Sequence, residues 1–316
     1  MSSLVVALSG GVGGAKLALG LSRVLEDGRL MVVANTGDDF EHLGLAISPD
    51  LDTLLYVLAG LDNPETGWGR RGETWSFMAA LEALGGETWF RLGDHDLATH
   101  IERTRRLEAG ETLSAVTADF ARRLGIGARI VPMSDEPVRT RIETSEGWLA
   151  LQDYFVRRRC EPAMRAIAYD GAATARPQGD VLAALGDPDL RAVVICPSNP
   201  LISIGPILAL PALRQALVAC AAPVIAVAPL IAGRAIKGPT AKMMREMGIE
   251  PGAASVARLY GDVIDAYVLD RSDRAEAASL AMKTVLADTL MVTLADREAL
   301  ARVVLAAADE AREKAR

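Results

Sequence analysis

Short apolar runs rich in Val and Ile recur along the 316-residue chain, and helical patterns lie between several of them. The clearest of these runs are residues 4–8, 30–35, 192–197, 223–229 and 263–270. Uninterrupted apolar runs of this length are typical of strands buried on both faces of a parallel sheet. Their alternation with helices predicts a doubly wound, mostly parallel, Rossmann-like α/β fold.

One long segment interrupts this alternation. Residues 60–130 have helical spacing and no convincing strand for the main sheet. We therefore predict a Rossmann-like nucleotide-binding core formed by residues 1–59 and 131–316. The predicted helical insertion, 60–130, divides that core.

Two elements outside the alternation are also predicted. Residues 138–155 are typical of a β-hairpin, with Glu146 and Gly147 in or near its turn. The C-terminal residues 295–316 have the pattern of a long amphipathic helix with a solvated end.

Composition restricts the classes of function. Half of the residues are apolar, which is enough for a large core, and the net charge is −7. An acidic chain is not expected to bind nucleic acid or a membrane surface generally, although a local site can still bind a small anion. The opening residues 1–11 lack a basic region and are predicted to be a first strand, not a signal peptide.

The cysteines and the apolar stretches favour a cytoplasmic location. Cys160, Cys196 and Cys220 lie far apart and form no CxxC pair, as expected of a reduced protein. No uninterrupted apolar stretch of about 18 residues suggests a membrane span.

In open parallel sheets, ligands bind beyond the carboxyl ends of the strands. Four loops follow predicted strands, and they cover residues 9–16, 35–53, 198–206 and 230–242. We expect these loops to converge on one edge of the sheet and to form an active cleft there.

The loop "SGGVGGAK" joins the first strand to a helix and is a candidate phosphate site. Its candidate ligand-binding residues are Gly10, Gly11, Gly13, Gly14 and Lys16. The alternative is simply a tight turn. The loop matches neither the dinucleotide fingerprint, whose last position is occupied by Lys16, nor the P-loop, because Leu17 replaces the magnesium-binding Ser or Thr.

The loop "SNPLISIGP" is a second candidate anion site. Its candidate residues are Ser198, Asn199, Ser203 and Gly205. The alternative is a capped helix start with local hydrogen bonds. Lys237 and Lys242 are further cations expected at the same edge.

The loop after the second strand is strongly acidic. Its carboxylates are Asp38, Asp39, Glu41, Asp50 and Asp52. Either this loop is solvated surface or it holds a cation.

The stretch "RLGDHDLATH" also concentrates ionisable groups. Arg91 is a candidate ligand contact, whereas Asp94 is explained by helix capping. His95 and His100 are five residues apart, a spacing that is poor for binding one metal from one helix face.

These motifs occur together in a known order. "SGGVGGAK", "NTGDD…SPDLDT", "RLGDHDLATH", "PMSDEPVRT" and "PSNPLISIGPI" closely resemble the 2-phospho-L-lactate transferase family of coenzyme F-420 biosynthesis, and the likeness extends to about residues 287–293. The resemblance implies transfer of a phosphorylated three-carbon acid from its guanosine diphosphate derivative to 7,8-didemethyl-8-hydroxy-5-deazariboflavin. GMP would be released, Mg²⁺ would be required, and the protein would be a homodimer.

The resemblance also assigns residues. Asp52 and Arg91 fall where the family binds the deazaflavin, and Asp38 falls at its metal site. We expect Asp38 and Asp52 to act on Mg²⁺, and Asp52 also to orient or deprotonate the ribityl hydroxyl. Val12 departs from the Thr that some relatives carry, which leaves a hydroxyl contact to the donor in doubt.

Two other functional classes share some of these sequence features. A non-enzymatic nucleotide- or sugar-nucleotide-binding regulatory protein of the same superfamily would share the glycine-rich start, but it would not need the motifs at 48–53 and 91–100. A nicotinamide dehydrogenase is disfavoured by the failed fingerprint and by Asn35, which lies where an acid for the ribose is expected. The sequence does not identify the three-carbon acid.

Overall fold

The computed structural model describes residues 4–315. The strands are β1 (Val5–Ser9), β2 (Leu30–Ala34), β3 (Phe40–His42), β4 (Leu45–Ile47), β5 (Arg129–Pro132), β6 (Arg139–Thr144), β7 (Gly147–Ala150), β8 (Met164–Asp170), β9 (Ala192–Ile195), β10 (Val224–Val227), β11 (Leu230–Ile231), β12 (Arg234–Ala235), β13 (Ala266–Asp270) and β14 (Lys283–Ala287).

The helices alternate with these strands along much of the chain. They are α1 (Gly11–Val24), α2 (Pro49–Leu58), α3 (Ser76–Ala83), α4 (Asp94–Glu108), α5 (Leu113–Arg123), α6 (Gly179–Leu185), α7 (Ile204–Leu208), α8 (Pro211–Val218), α9 (Thr240–Glu246), α10 (Ala253–Tyr260), α11 (Arg274–Ala277) and α12 (Leu294–Ala315). No helix within residues 4–315 is long and apolar enough to cross a membrane.

Seven strands form the central sheet in the order β5-β2-β1-β9-β10-β13-β14, and all neighbouring pairs are parallel. The predicted doubly wound α/β fold is confirmed, and the five predicted strands are β1, β2, β9, β10 and β13. The two edge strands, β5 and β14, were missed. Each is short and begins with a basic residue, Arg129 or Lys283, so neither stands out as an apolar run.

The sheet is covered on both faces. Alternate side chains of β1 enter two separate apolar clusters: Val5 and Ala7 pack with α1, α2 and α12, whereas Val6 and Leu8 pack with α7, α8 and α10. This alternation follows from the two-residue period of a strand. Burial on both faces explains why the central strands read as continuous apolar runs.

The segment predicted as a helical insertion contains α3, α4 and α5. Strand β5 begins at Arg129, so the last two residues of that segment belong to the main sheet. Helix α4 packs on β4 and on α5, which brings this segment against the loop that follows β2.

The predicted hairpin is formed by β6 and β7, and Thr144 pairs with Gly147 across its turn. Strand β8 adds a third antiparallel strand, which the sequence analysis missed. The predicted C-terminal helix is α12, which packs along α1.

Candidate active site

A cavity of about 780 Å³ opens at the carboxyl edge of the sheet. It lies beside β1, whose neighbours β2 and β9 lead away in opposite directions, the position where open α/β sheets bind ligands. The loops that follow β1, β2, β9 and β10 all contribute to its wall, through residues such as Gly11, Asp38, Ser198 and Lys237. The predicted insertion also contributes to the wall, through residues such as Arg91.

The glycine-rich loop is bonded to both of its neighbours. The N–H of Gly10 donates to Ser198 Oγ at 3.3 Å, and the N–H of Gly11 donates to Asp50 Oδ1 at 2.5 Å. A Cβ at Gly10 would lie 2.6 Å from both Asp50 Oδ2 and Ser203 Cβ, so only glycine permits this approach. The loop therefore joins the acidic wall to the serine-containing loop.

Helix α1 begins at this loop without a side-chain cap. Val12 and Gly13, in its first turn, line the cavity, and N–H groups in a first helical turn lack intrahelical acceptors. Such a helix start attracts anions. Val12 offers the cavity no hydroxyl.

Other predicted anion-site residues have structural partners. A Cβ on Gly14 would collide with Ser9 and Ser198, and one on Gly205 would collide with Tyr169, so both glycines are needed for close packing. Asn199 Oδ1 accepts from the N–H of Leu201 at 2.9 Å, a local bond of the kind that the capped-turn alternative describes.

The lysines differ in their environments. Lys16 lines the cavity and donates from Nζ to the Met291 carbonyl at 2.9 Å, and burial together with nearby Arg297 lowers the pKa of Lys16. Lys237 also lines the cavity. Lys242 forms an ion pair with Glu246 at 2.6 Å and is not among the residues described in the cavity wall.

Asn35 connects two of the carboxylates. Its Nδ2 donates to Asp50 Oδ2 at 2.9 Å and to Asp38 Oδ1 at 3.3 Å, while its own Oδ1 accepts from the N–H of Gly37. Burial and the neighbouring Asp50 raise the pKa of Asp38 well above its usual range, and burial raises the pKa of Asp50 to about 6. The two carboxylates therefore converge, and each favours a proton or a cation.

Two further acids of this loop, Asp39 and Glu41, do not line the cavity. Asp39 is buried, accepts from Ser48 Oγ at 3.0 Å and has a pKa raised to about 7 by burial, whereas Glu41 is exposed. The loop is therefore not uniform solvated surface. Asp50, to which no individual role was assigned from the sequence, contacts the glycine-rich loop directly.

Asp52 lines the cavity and pairs with a buried arginine from α4. Both of its carboxylate oxygens accept from the Arg103 guanidinium, with Oδ2 at 3.1 Å from Nη1, and Arg103 is only 1% exposed. His100 Nδ1 lies 3.6 Å from Asp52 Oδ2. Sequence analysis did not identify Arg103.

Asp96 and Tyr56 extend this pair into a network. His100 Nε2 lies 3.1 Å from Asp96 Oδ2, and the Tyr56 hydroxyl donates to Asp96 Oδ1. Asp96, His100 and Arg103 are spaced four and three residues apart, and this one-face spacing was the signal available in the sequence. His95 is exposed beside Glu73, whereas His100 is buried.

Arg91 is exposed at the cavity wall, with its guanidinium 4.0 Å from the centre of the Trp75 ring. Trp89 and Phe90, which precede it in the sequence, also line the cavity. A guanidinium stacked on an indole, beside further aromatic rings, is suited to contact a flat conjugated ring.

Within residues 4–315, no group of three or more His, Cys, Asp or Glu side chains is arranged to hold a metal. Mg²⁺ often uses only one or two protein carboxylates together with water and substrate phosphates. Among the carboxylates in the cavity wall, Asp38 and Asp50 share one amide donor, whereas Asp52 is committed to Arg103. The pair that fits a shared cation is therefore Asp38 and Asp50.

The sheet and its cavity define a protein of the Rossmann-like α/β class with a ligand site at the point where the strand order reverses. Comparison with known sequences is more specific. The family model for 2-phospho-L-lactate transferase CofD matches residues 5–308, and the chain belongs to that transferase family. The resemblance seen in the sequence motifs is confirmed.

Individual relatives agree with this assignment. The chain is 41% identical to a phosphoenolpyruvate transferase of Streptomyces griseus, over 98% of this chain and 99% of that protein. It is 38% identical to a 2-phospho-L-lactate transferase of Methanosarcina mazei, over 96% of this chain and all of that protein. A crystal structure of a UPF0052 family member from Bacillus halodurans has a TM-score of 0.65 at 13% identity, covering 95% of this chain and 99% of that one, which shows a shared fold.

Proposed function

We propose that this protein transfers a phosphorylated three-carbon acid from its guanosine diphosphate derivative to the ribityl hydroxyl of 7,8-didemethyl-8-hydroxy-5-deazariboflavin, releasing GMP, in coenzyme F-420 biosynthesis. Membership of the transferase family supports this reaction over a regulatory, non-enzymatic role. The observation that carries the proposal is that one cavity is lined by an uncapped helix start, by several carboxylates and by Arg91.

The donor diphosphate would lie against the start of α1. The N–H groups of Val12 and Gly13, together with Lys16 and Lys237, place positive charge in this part of the wall. Ser198 and Ser203 would complete the phosphate site from the loop that follows β9. Gly10 and Gly11 hold the two halves of the site together.

Asp38 and Asp50 would hold the magnesium ion. Their convergence on Asn35, and the raised pKa of each, mean that a divalent cation would relieve their mutual repulsion. Bound Mg²⁺ would offset the negative charge of the diphosphate and stabilise the leaving phosphate. This proposal differs from the sequence-based one by replacing Asp52 with Asp50.

Asp52 and Arg91 would bind the deazaflavin. Arg91 is exposed and already stacked on an indole, so it can contact a second flat ring on its open side. Asp52 can accept a hydrogen bond from the ribityl hydroxyl while its charge is held by Arg103.

An experiment can identify which three-carbon acid the donor carries. The relatives described above carry the names of both phosphoenolpyruvate and 2-phospho-L-lactate, at 41% and 38% identity. The test is to incubate the purified protein with the deazaflavin, Mg²⁺ and the guanylylated form of 2-phospholactate, phosphoenolpyruvate or phosphoglycerate in turn. Mass spectrometry should detect GMP and one deazaflavin phosphodiester.

GMP release without a deazaflavin product would contradict the proposed acceptor. Binding of guanine nucleotide with no turnover of any donor would instead favour a regulatory protein. We also propose a cytoplasmic homodimer, and light scattering after size-exclusion chromatography tests its mass.

A further inference from the structure

Two helices face each other across one wall of the cavity and present ionisable side chains at matching intervals. Helix α2 carries Asp52 and Tyr56, four residues apart, and α4 carries Asp96, His100 and Arg103, four and three residues apart. Both spacings place their side chains on a single helix face. The contact joins the predicted insertion to the helix that follows the acidic loop.

These side chains form one continuous chain of polar contacts. The Tyr56 hydroxyl donates to Asp96 Oδ1, and Asp96 Oδ2 lies 3.1 Å from His100 Nε2. An ionised carboxylate is only an acceptor, so we assign the imidazole proton to Nε2, which faces Asp96 without a well-aligned hydrogen bond. The unprotonated Nδ1 then accepts from Arg103 Nη1, which lies 3.4 Å away.

Arg103 is therefore held from two sides. Its guanidinium donates to both oxygens of Asp52, and one of its nitrogens also contacts His100. Two-point pairing of guanidinium with carboxylate fixes the plane and direction of the carboxylate. The chain from Tyr56 to Arg103 thus determines where the Asp52 oxygens lie in the cavity wall.

This arrangement also limits the chemistry of Asp52. Both Asp52 oxygens already accept from the Arg103 guanidinium, so a proton transferred to Asp52 would disturb this two-point pairing. Asp52 retains lone pairs that can accept a hydrogen bond and fix the direction of a hydroxyl group. Of the two roles predicted for Asp52, orientation is favoured over deprotonation.

We propose that Arg103 and His100 are positioning residues that set Asp52 in the orientation required by the acceptor hydroxyl; this inference rests on the transferase function proposed above. Arg103 bonds Asp52 directly, whereas His100 acts through Arg103. Asp96 and Tyr56 fix the imidazole in turn. The predicted insertion thereby contributes to the acceptor site through Asp96 and His100, which line the cavity, and through Arg103 behind them, as well as through Arg91.

Two substitutions at one position separate the contacts of the imidazole. His100→Asn keeps a polar atom near the Nδ1 position, which faces Arg103, whereas His100→Gln keeps one near the Nε2 position, which faces Asp96. Steady-state transfer rates with varied deazaflavin, and GDP affinity by calorimetry, should be measured for both. His95→Gln is the matched control, because it makes the same change at an exposed histidine of the same helix.

We expect His100→Gln to lower kcat/KM for the deazaflavin by about 100-fold, the order of loss for a misplacement of about 1 Å. His100→Asn should lose about tenfold less, since it still supports Arg103. GDP affinity should stay within about twofold in both variants, because the nucleotide lies at the start of α1. His95→Gln should match the wild type in every assay.

Wild-type kcat/KM in folded His100→Gln would overturn the proposal, as would equal losses for deazaflavin and GDP. If both His100 variants fail to fold, Tyr56→Phe provides the test, because it removes only one hydroxyl, which bonds Asp96 and Thr99. An unchanged kcat/KM in folded Tyr56→Phe would also refute the network. A wild-type protein that transfers nothing would remove the proposed function itself, and this is distinguishable from failure of the variants alone.

Discussion

Replacing Asp52 by Asn should destabilise the protein strongly, although the side chain keeps its shape. The substitution removes the anion that pairs with Arg103, which is only 1% exposed. Breaking one side of a buried ion pair costs about 3–5 kcal/mol, since an uncompensated charge is left behind. The nearby Asp39 carboxylate offers partial compensation, so we expect a loss at the lower end, about 3 kcal/mol.

This loss can be converted into a melting temperature. An unfolding entropy of about 2.1 cal/mol/K per residue, over 316 residues, translates 3 kcal/mol into a fall of about 4–5 °C. Thermal unfolding followed by far-UV circular dichroism measures it. Glu41→Gln is the matched control, because it neutralises an exposed carboxylate of the same loop and should leave the melting temperature unchanged.

A second substitution tests the cause. Arg103→Met removes the stranded charge and keeps an unbranched apolar side chain, so Asp52→Asn/Arg103→Met should be more stable than Asp52→Asn alone. A loss below about 1 kcal/mol in Asp52→Asn would refute the reasoning. A double variant no more stable than the single one would show that Arg103 is compensated by other groups.

Three further outcomes are expected. Arg91→Ala should weaken deazaflavin binding by about fivefold or more and leave GDP affinity unchanged, because the variant lacks the cation that would stack on the deazaflavin ring. Fluorescence titration measures the deazaflavin affinity, and an equal loss for both ligands would show that Arg91 does not lie at the deazaflavin site. Gly13→Ala should abolish GDP binding in calorimetry, since its Cβ would collide with the Pro197 carbonyl, whereas Gly179→Ala, with open space around it, should bind normally. Because burial raises the pKa of Asp50 to about 6, the folded protein retains a proton that the unfolded chain loses, and metal-free stability should fall as pH rises from about 4 to 6. Mg²⁺ should accordingly raise the melting temperature more at about pH 8 than at about pH 5, and an equal rise at both would contradict a carboxylate metal site.

The sequence by itself determined the central architecture and the edge at which the site lies. Strands buried on both faces must be apolar throughout, so β1, β2, β9, β10 and β13 are visible as local runs of residues. Parallel strands also direct their following loops to one edge, which made the convergence of Gly11, Asp38 and Ser198 predictable. The ordered motifs, three of them in those loops, were sufficient to indicate the transferase family.

The tertiary structure decided how the charged groups are paired. Asp52 and Arg103 are 51 residues apart, and Asn35 and Asp50 are 15 apart, so neither partnership follows from a local pattern. Both depend on how α4 packs against α2 and on how the acidic loop folds back onto the glycine-rich loop. For that reason the five carboxylates are close together in the sequence, but the sequence does not distinguish their roles. Only the folded chain assigns Asp38 and Asp50 to each other and Asp52 to a buried guanidinium, because burial and proximity, which set charge pairing, are properties of the packed structure.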